Sequence, residues 1–189
     1  MTLRLPAFRF RLVGVLAAAA MFCLAGGTAA RAQDCLTVMS QIPDLSTFVG
    51  GLNRTGQSDL LRGPGPFTIL APTNEAIARV PINIRNDLTG SQPTQDFDPV
   101  RGPAVINAHI IDGKHMASEV RGQDRVEVRT RNGNVLIIQR GSDGRYTLTP
   151  GPGGFGAGGI SRIEPARVVR ADIPCSNGVI HMVDHVLVR

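Results

Sequence analysis

Tryptophan is absent, Tyr146 is the only tyrosine, and aromatic residues make up 4% of the chain. That scarcity argues against a protein interface built on large aromatic anchors. Lysine is almost missing as well. Lys114 stands alone and arginine supplies the remaining cations, which reads as the composition bias of a high-GC bacterial genome rather than as a function. Three cysteines are present without CxxC or metal-ligand spacing, so a redox motif or a zinc site through cysteine is excluded. No paired carboxylates and no Ser/His/Asp or Cys/His ordering suggest catalysis, and the chain reads as non-enzymatic with no cofactor.

What is present begins with a leader. Arg4, Arg9 and Arg11 precede an apolar run from Leu12 to Leu24, and Ala30-Arg31-Ala32 offers small residues at a cleavage position. Residues 1–32 are therefore expected to be a secretory signal peptide. A membrane anchor needs roughly 18 continuous apolar residues, and Gly26-Gly27-Thr28 and Arg31 interrupt too soon. Cys23 follows Ala20-Met21-Phe22, which is not a lipidation setting. Removing the four leader arginines from 20 basic side chains leaves 16 against 15 acidic. The mature product is near neutral, with no electrostatic case for nucleic acid or for an anionic membrane. The expected location is secreted, periplasmic or in the cell envelope, with no stable membrane insertion once the leader is gone.

The remaining 157 residues are enough for one domain with a real core. Cys35 and Cys175 survive processing, and an even pair in an oxidising compartment predicts one disulfide. The chain pivots on Phe67-Thr68-Ile69-Leu70-Ala71, a short apolar run of strand length closed by Pro72. Thr73 or Asn74 can cap a following helix that carries Ile77 and Val80 on one face and ends at Pro81. Before it, residues 33–39 read as a lead-in. Leu45, Phe48, Val49 and Leu52 mark one helix face, Ser58–Arg62 a shorter helix, and Gly63-Pro64-Gly65-Pro66 a forced turn.

After it, Asn83 to Pro103 reads as a polar loop with one helical turn at Ile84–Leu88. A short helix is expected from Pro103, and turns at Asp112-Gly113 and Ala117–Val120. From Arg125 the apolar period becomes two. Hairpins are expected around Asn132-Gly133 and Asp143-Gly144, then a glycine-rich loop over 150–159, and strands over Arg167–Ile173 and Val179–Val188. Helices first and hairpins afterwards point to an α+β fold.

Two formal motifs fail on context. Gly151-Pro152-Gly153-Gly154-Phe155-Gly156 matches GxGxxG, but prolines and glycines follow where a phosphate site needs a helix N-terminus. His181 and His185 share one face of the expected last strand about 13 Å apart, too far to share a metal ion.

Three separated stretches are similar to fasciclin domains. Phe67 to Ile77 resembles the family's first signature block. Ala108-His109-Ile110-Ile111-Asp112-Gly113-Lys114 resembles its central Tyr-His segment, and Asn177 to Leu187 resembles its second block. The resemblance covers residues 40–189 and implies a β-wedge or sandwich flanked by short helices, with the two blocks side by side. It implies an extracellular adhesion or matrix-binding module whose partner is a cell-surface or matrix protein or glycan. Thr73, Asn74, His109 and His181 are then structural hydrogen-bonding positions, and Asp172 and Ile173 fall where animal relatives contact integrins. Ala108 replaces the family's tyrosine and no Arg-Gly-Asp triplet is present, which weighs against integrin itself. The alternative function is a carrier of an apolar lipid or pigment in a cleft of the same fold.

Overall fold

The structure is a computed structural model; it describes residues 32–89, 99–120, 123, 125–151 and 165–187. The leader, the polar stretch 90–98 and nearly all of the glycine-rich loop lie outside the described residues, and so do the expectations placed on them.

Helix α1 (Cys35–Ser40) opens the domain, capped by the Asp34 carboxylate, which accepts from Thr37 N–H at 2.7 Å. The expected lead-in is thus helical, held by that cap and by the buried side chains of Cys35, Leu36 and Met39. A 3-10 turn at Pro43–Leu45 leads into α2 (Ser46–Arg54), and α3 (Ser58–Arg62) follows. Strand β1 (Phe67–Pro72) is buried at every position and runs into α4 (Asn74–Arg79). Val80 stays extended ahead of Pro81, as a residue before proline prefers.

Helix α5 (Ile82–Thr89) is longer than the single turn expected, because Ile84 and Leu88, four apart, both bury against the core. Helix α6 (Arg101–Asn107) precedes β2 (Ile110–Asp112). Ala117–Val120, expected as a turn, is a short helix, α7. The hairpin strands are β3 (Val126–Arg129), β4 (Val135–Arg140) and β5 (Tyr146–Pro150). The last two strands are β6 (Ala166–Cys175) and β7 (Gly178–Val183). Strand β7 stops at Val183, five residues short of expectation, and Asp184-His185 bends away. His185 therefore shares no strand face with His181.

All seven strands form one sheet in the order β2-β1-β7-β6-β5-β4-β3. The β1–β7 pair is parallel, and the other pairs are antiparallel. A bridge between Ile111 and Thr130 joins the two ends of the sheet, so it is nearly closed. Strands β1 and β7 are central and covered on both sides, which is why both are apolar without alternation. Phe67, Ile69, Ala71, Ile180 and Met182 face a core shared with α1, α2, α4, α5 and α6. Leu70 and Val183 face a second core inside the curled sheet, with Ile111, Val128, Leu136 and Leu148.

Candidate functional site

The two signature blocks meet along the full β1–β7 ladder, from Phe67 opposite Gly178 to Pro72 opposite Val183. Thr73 sits at its end. Its N–H donates to Val183 O at 3.1 Å and its hydroxyl accepts from Ala76 N–H at 3.2 Å, so Thr73 caps α4. Asn74 instead serves another helix. Its Oδ1 accepts from Thr47 N–H at 2.9 Å and its Nδ2 donates to Pro43 O at 2.9 Å. Helix α2 has no cap of its own, and a carboxamide from a later element satisfies its first turn. Asn74→Ala is expected to remove about 1–2 kcal/mol. Thermal unfolding should show a drop of several degrees in Tm with the native circular dichroism spectrum retained.

His109 is fully buried between α6 and β2. Its Nε2 accepts from Leu187 N–H at 2.9 Å, which leaves Nδ1–H to donate to Val105 O at 2.7 Å. The Phe48 ring lies 5.8 Å away, tilted against the imidazole. Desolvation lowers the His109 pKa from 6.5 to about 4, and the Val105 carbonyl only partly offsets it.

His181 is 6% exposed and points to the opposite side of the sheet from Ile180 and Met182. Its Nδ1 accepts from Asp172 N–H at 3.1 Å, so Nε2–H donates to His115 O at 2.9 Å. Asp172 takes a positive φ of 58°, unusual for a side chain other than glycine, within a stretch of β6 that shifts register twice against β7. Its Oδ1 accepts from Ala117 N–H at 2.8 Å, and Tyr146 Oη donates to Ala117 O at 2.8 Å. Thr68 Oγ donates to Gly113 O and accepts from His115 N–H. The chain from 113 to 117 is thereby stitched to four strands.

Beneath that segment lies an apolar cavity of about 30 Å³, walled by Leu70, Ile111, Met116, Val120, Ile138 and Leu148. The polar side chains on its wall already have protein partners: Thr68, Tyr146 and His181 hydrogen-bond main-chain carbonyls, and His115 Nδ1 lies 3.5 Å from the Glu119 carboxylate. The cavity therefore presents hydrocarbon rather than free donors. An open groove of about 540 Å³ runs between β2 and β3, where exposed Asp112 and Glu127 are paired with Arg131 and Arg125 at 2.5 and 2.6 Å.

Asp172 and Ile173, the expected partner contacts, lie together but mostly face inward. The Asp172 carboxylate is 31% exposed and engaged with Ala117, and Ile173 is 7% exposed in the helix-side core. Cys35 and Cys175 are disulfide-bonded, joining α1 to the end of β6. Among the described residues no three His, Cys, Asp or Glu side chains cluster to hold a metal ion. His185 hydrogen-bonds Asp184 at 2.9 Å, and Arg167 N–H reaches the same carboxylate. Burial raises the Asp184 pKa, but these bonds and the neighbouring charges together hold it below the ordinary value.

Sequence reasoning missed Asn177. Its Oδ1 accepts from Cys35 N–H at 2.9 Å, and its Nδ2 donates to Leu61 O at 2.7 Å and Gly63 O at 2.8 Å. An asparagine before glycine signals a turn, and nothing local announces a side chain that reaches partners 114 to 142 residues away.

The sequence model of the Fasciclin domain matches residues 43–189. The chain belongs to the fasciclin domain family. Protein sll1483 of Synechocystis is 29% identical over 142 residues, which are 75% of this chain and 66% of that protein. Pig transforming growth factor-beta-induced protein ig-h3 is 26% identical over 127 residues, 67% of this chain but 15% of ig-h3. Mouse stabilin-1 is 31% identical over 136 residues, 72% of this chain and 4% of stabilin-1. The chain thus spans under two thirds of sll1483 and a small part of the animal relatives. A solved FAS1 domain pair from the insect cell adhesion molecule Fasciclin I shares the fold, with a TM-score of 0.60 at 17% identity. That match covers 83% of this chain and 51% of the pair. The fasciclin-type α+β architecture expected from the sequence is the one observed. No helix among the described residues is long and apolar enough to cross a membrane.

Proposed function

We propose that this fasciclin domain is an exported, non-catalytic module that binds a cell-surface or matrix protein or glycan and so promotes attachment. The observation that carries the reading is the family match across 43–189, together with the likeness to a domain pair of an insect cell adhesion molecule. The leader expected over residues 1–32 would deliver it to the cell envelope or beyond. Deleting the gene in its native host should reduce attachment or aggregation several-fold, and expression of the intact chain should restore it. Unchanged attachment on every surface tested would refute the reading.

The apolar cavity under α7 favours a second role, carriage of a lipid or pigment. At about 30 Å³ it holds little more than one or two waters, so such a ligand requires α7 to swing aside. Native mass spectrometry of protein purified from its host discriminates the two. A stoichiometric co-purifying hydrophobic mass supports carriage, and a bare polypeptide mass removes it.

A further inference from the structure

The segment that follows β7 is a strap laid across both cores, with the His109 imidazole holding its far end. After Val183 the chain bends at Asp184-His185 and runs without regular structure through Val186 and Leu187. Val186 packs into the helix-side core and Leu187 into the core inside the sheet. The strap therefore covers the place where the two cores adjoin. Its first anchor is Asp184, whose N–H donates to Arg167 O at 3.0 Å while its carboxylate accepts from Arg167 N–H. The anchor at its far end is Leu187 N–H on His109 Nε2.

The geometry points to an acid-sensitive latch: protonation of His109 releases the Leu187 end of the strap and uncovers apolar surface over both cores. A proton on Nε2 occupies the lone pair that receives Leu187 N–H, so the charged ring turns a donor toward a donor. The other ring nitrogen already carries its proton toward Val105 O. Among the described residues, no carboxylate stabilises the charged ring where it sits. Val105 of α6 and Phe48 of α2 are uncharged, and β1 donates Leu70 N–H to the His109 carbonyl. The strap itself brings Asp184 and His185, which are hydrogen-bonded to each other, with Asp184 also tied to Arg167. The charged ring is accommodated once the strap lifts and water enters.

The sign and size follow from linkage. The latched ring has a pKa near 4 and a solvated one 6.5. The latched form is therefore fully favoured above pH 6.5 and weakens as pH falls toward 4. The released-to-latched ratio rises about 20-fold between pH 7 and pH 5, and about 300-fold from the alkaline limit to where both forms are protonated. Asp184, held below its ordinary value, stays ionised at pH 5, so the strap's first anchor remains.

Amide hydrogen exchange on the intact mature protein tests this, with rates corrected for the intrinsic pH dependence. Protection at Leu187 should fall about 20-fold from pH 7 to pH 5, while Thr73 N–H on Val183 O and Leu70 N–H on His109 O keep theirs. In His109→Gln, protection at Leu187 should not vary with pH. A Leu187 amide whose protection is flat over that range in the native sequence overturns the latch, as does equal loss at Thr73 and Leu70. If His109→Gln fails to fold, direct NMR titration of the native His109 ring decides. A midpoint near 4, with Leu187 exchange rising as pH falls toward it, supports the latch, and a midpoint near 6.5 refutes it.

Discussion

Replacing Cys35 and Cys175 together by serine is expected to lower the stability of the oxidised domain by about 5 kcal/mol in the chain-entropy treatment of loop closure. The disulfide closes 140 residues of sequence separation, nearly the whole mature chain. A cross-link removes more freedom from the unfolded ensemble the longer the loop it closes, although only logarithmically. For a domain of this size, 5 kcal/mol corresponds to roughly 10–20 °C in Tm. Differential scanning calorimetry of the oxidised native domain beside the double-serine variant measures it. A Tm difference under about 3 °C would mean that the unfolded chain is already compact, or that the ends are held by other contacts. The natural rival is Asn177, which also ties Cys35 to the β6–β7 turn, so the two devices must be separated experimentally.

Strand β1 was legible because its physics is local. Four apolar residues around Thr68, a proline and a capping threonine define a strand and the helix after it, and burial on both faces accounts for the missing alternation. The hairpins from β3 to β5 were legible for a similar reason, since Asn132-Gly133 and Asp143-Gly144 favour the left-handed backbone their turns adopt. Helix α1 was not, because six residues cannot sustain a helix without outside help. Its help comes from Asp34, the disulfide and Asn177, and the last two are supplied by the far end of the chain. Helix α5 was masked by Pro81 and by Asn83, Asn86 and Asp87, poor helix formers that give Ile84 and Leu88 little local support.

The error at the C-terminus has another cause. Val186, Leu187 and Val188 continue the β-rich composition of β7, so composition extends the strand, whereas the structure turns Val186 and Leu187 into two different cores. At the site, the resemblance singled out His109 and His181 as hydrogen-bonding residues. Their partners, Leu187 and the His115 carbonyl, lie 78 and 66 residues away. No periodicity encodes contacts at that range.

Asn177→Ala is the second substitution with a large expected effect, about 3–5 kcal/mol. The native carboxamide holds Cys35 N–H, Leu61 O and Gly63 O at once. Its truncation leaves three main-chain groups short of a partner, each worth roughly 1–3 kcal/mol when water cannot replace it. The surrounding backbone is too tight to rearrange cheaply. A Cβ on Gly178 would fall 2.1 Å from Phe67 O, and one on Gly65, at φ +61°, would fall 2.2 Å from Asn177 O. The turn, the first signature strand and α1 are thus fixed to one another by Asn177 and the two glycines beside it. Asn177→Asp distinguishes a polar clamp from simple space filling, since it keeps the volume and the acceptor for Cys35 N–H but turns a carboxylate oxygen toward two carbonyls. It should unfold in urea at a midpoint no higher than Asn177→Ala. A near-native midpoint for the aspartate variant would show that volume, not the two donated hydrogen bonds, is what this position contributes.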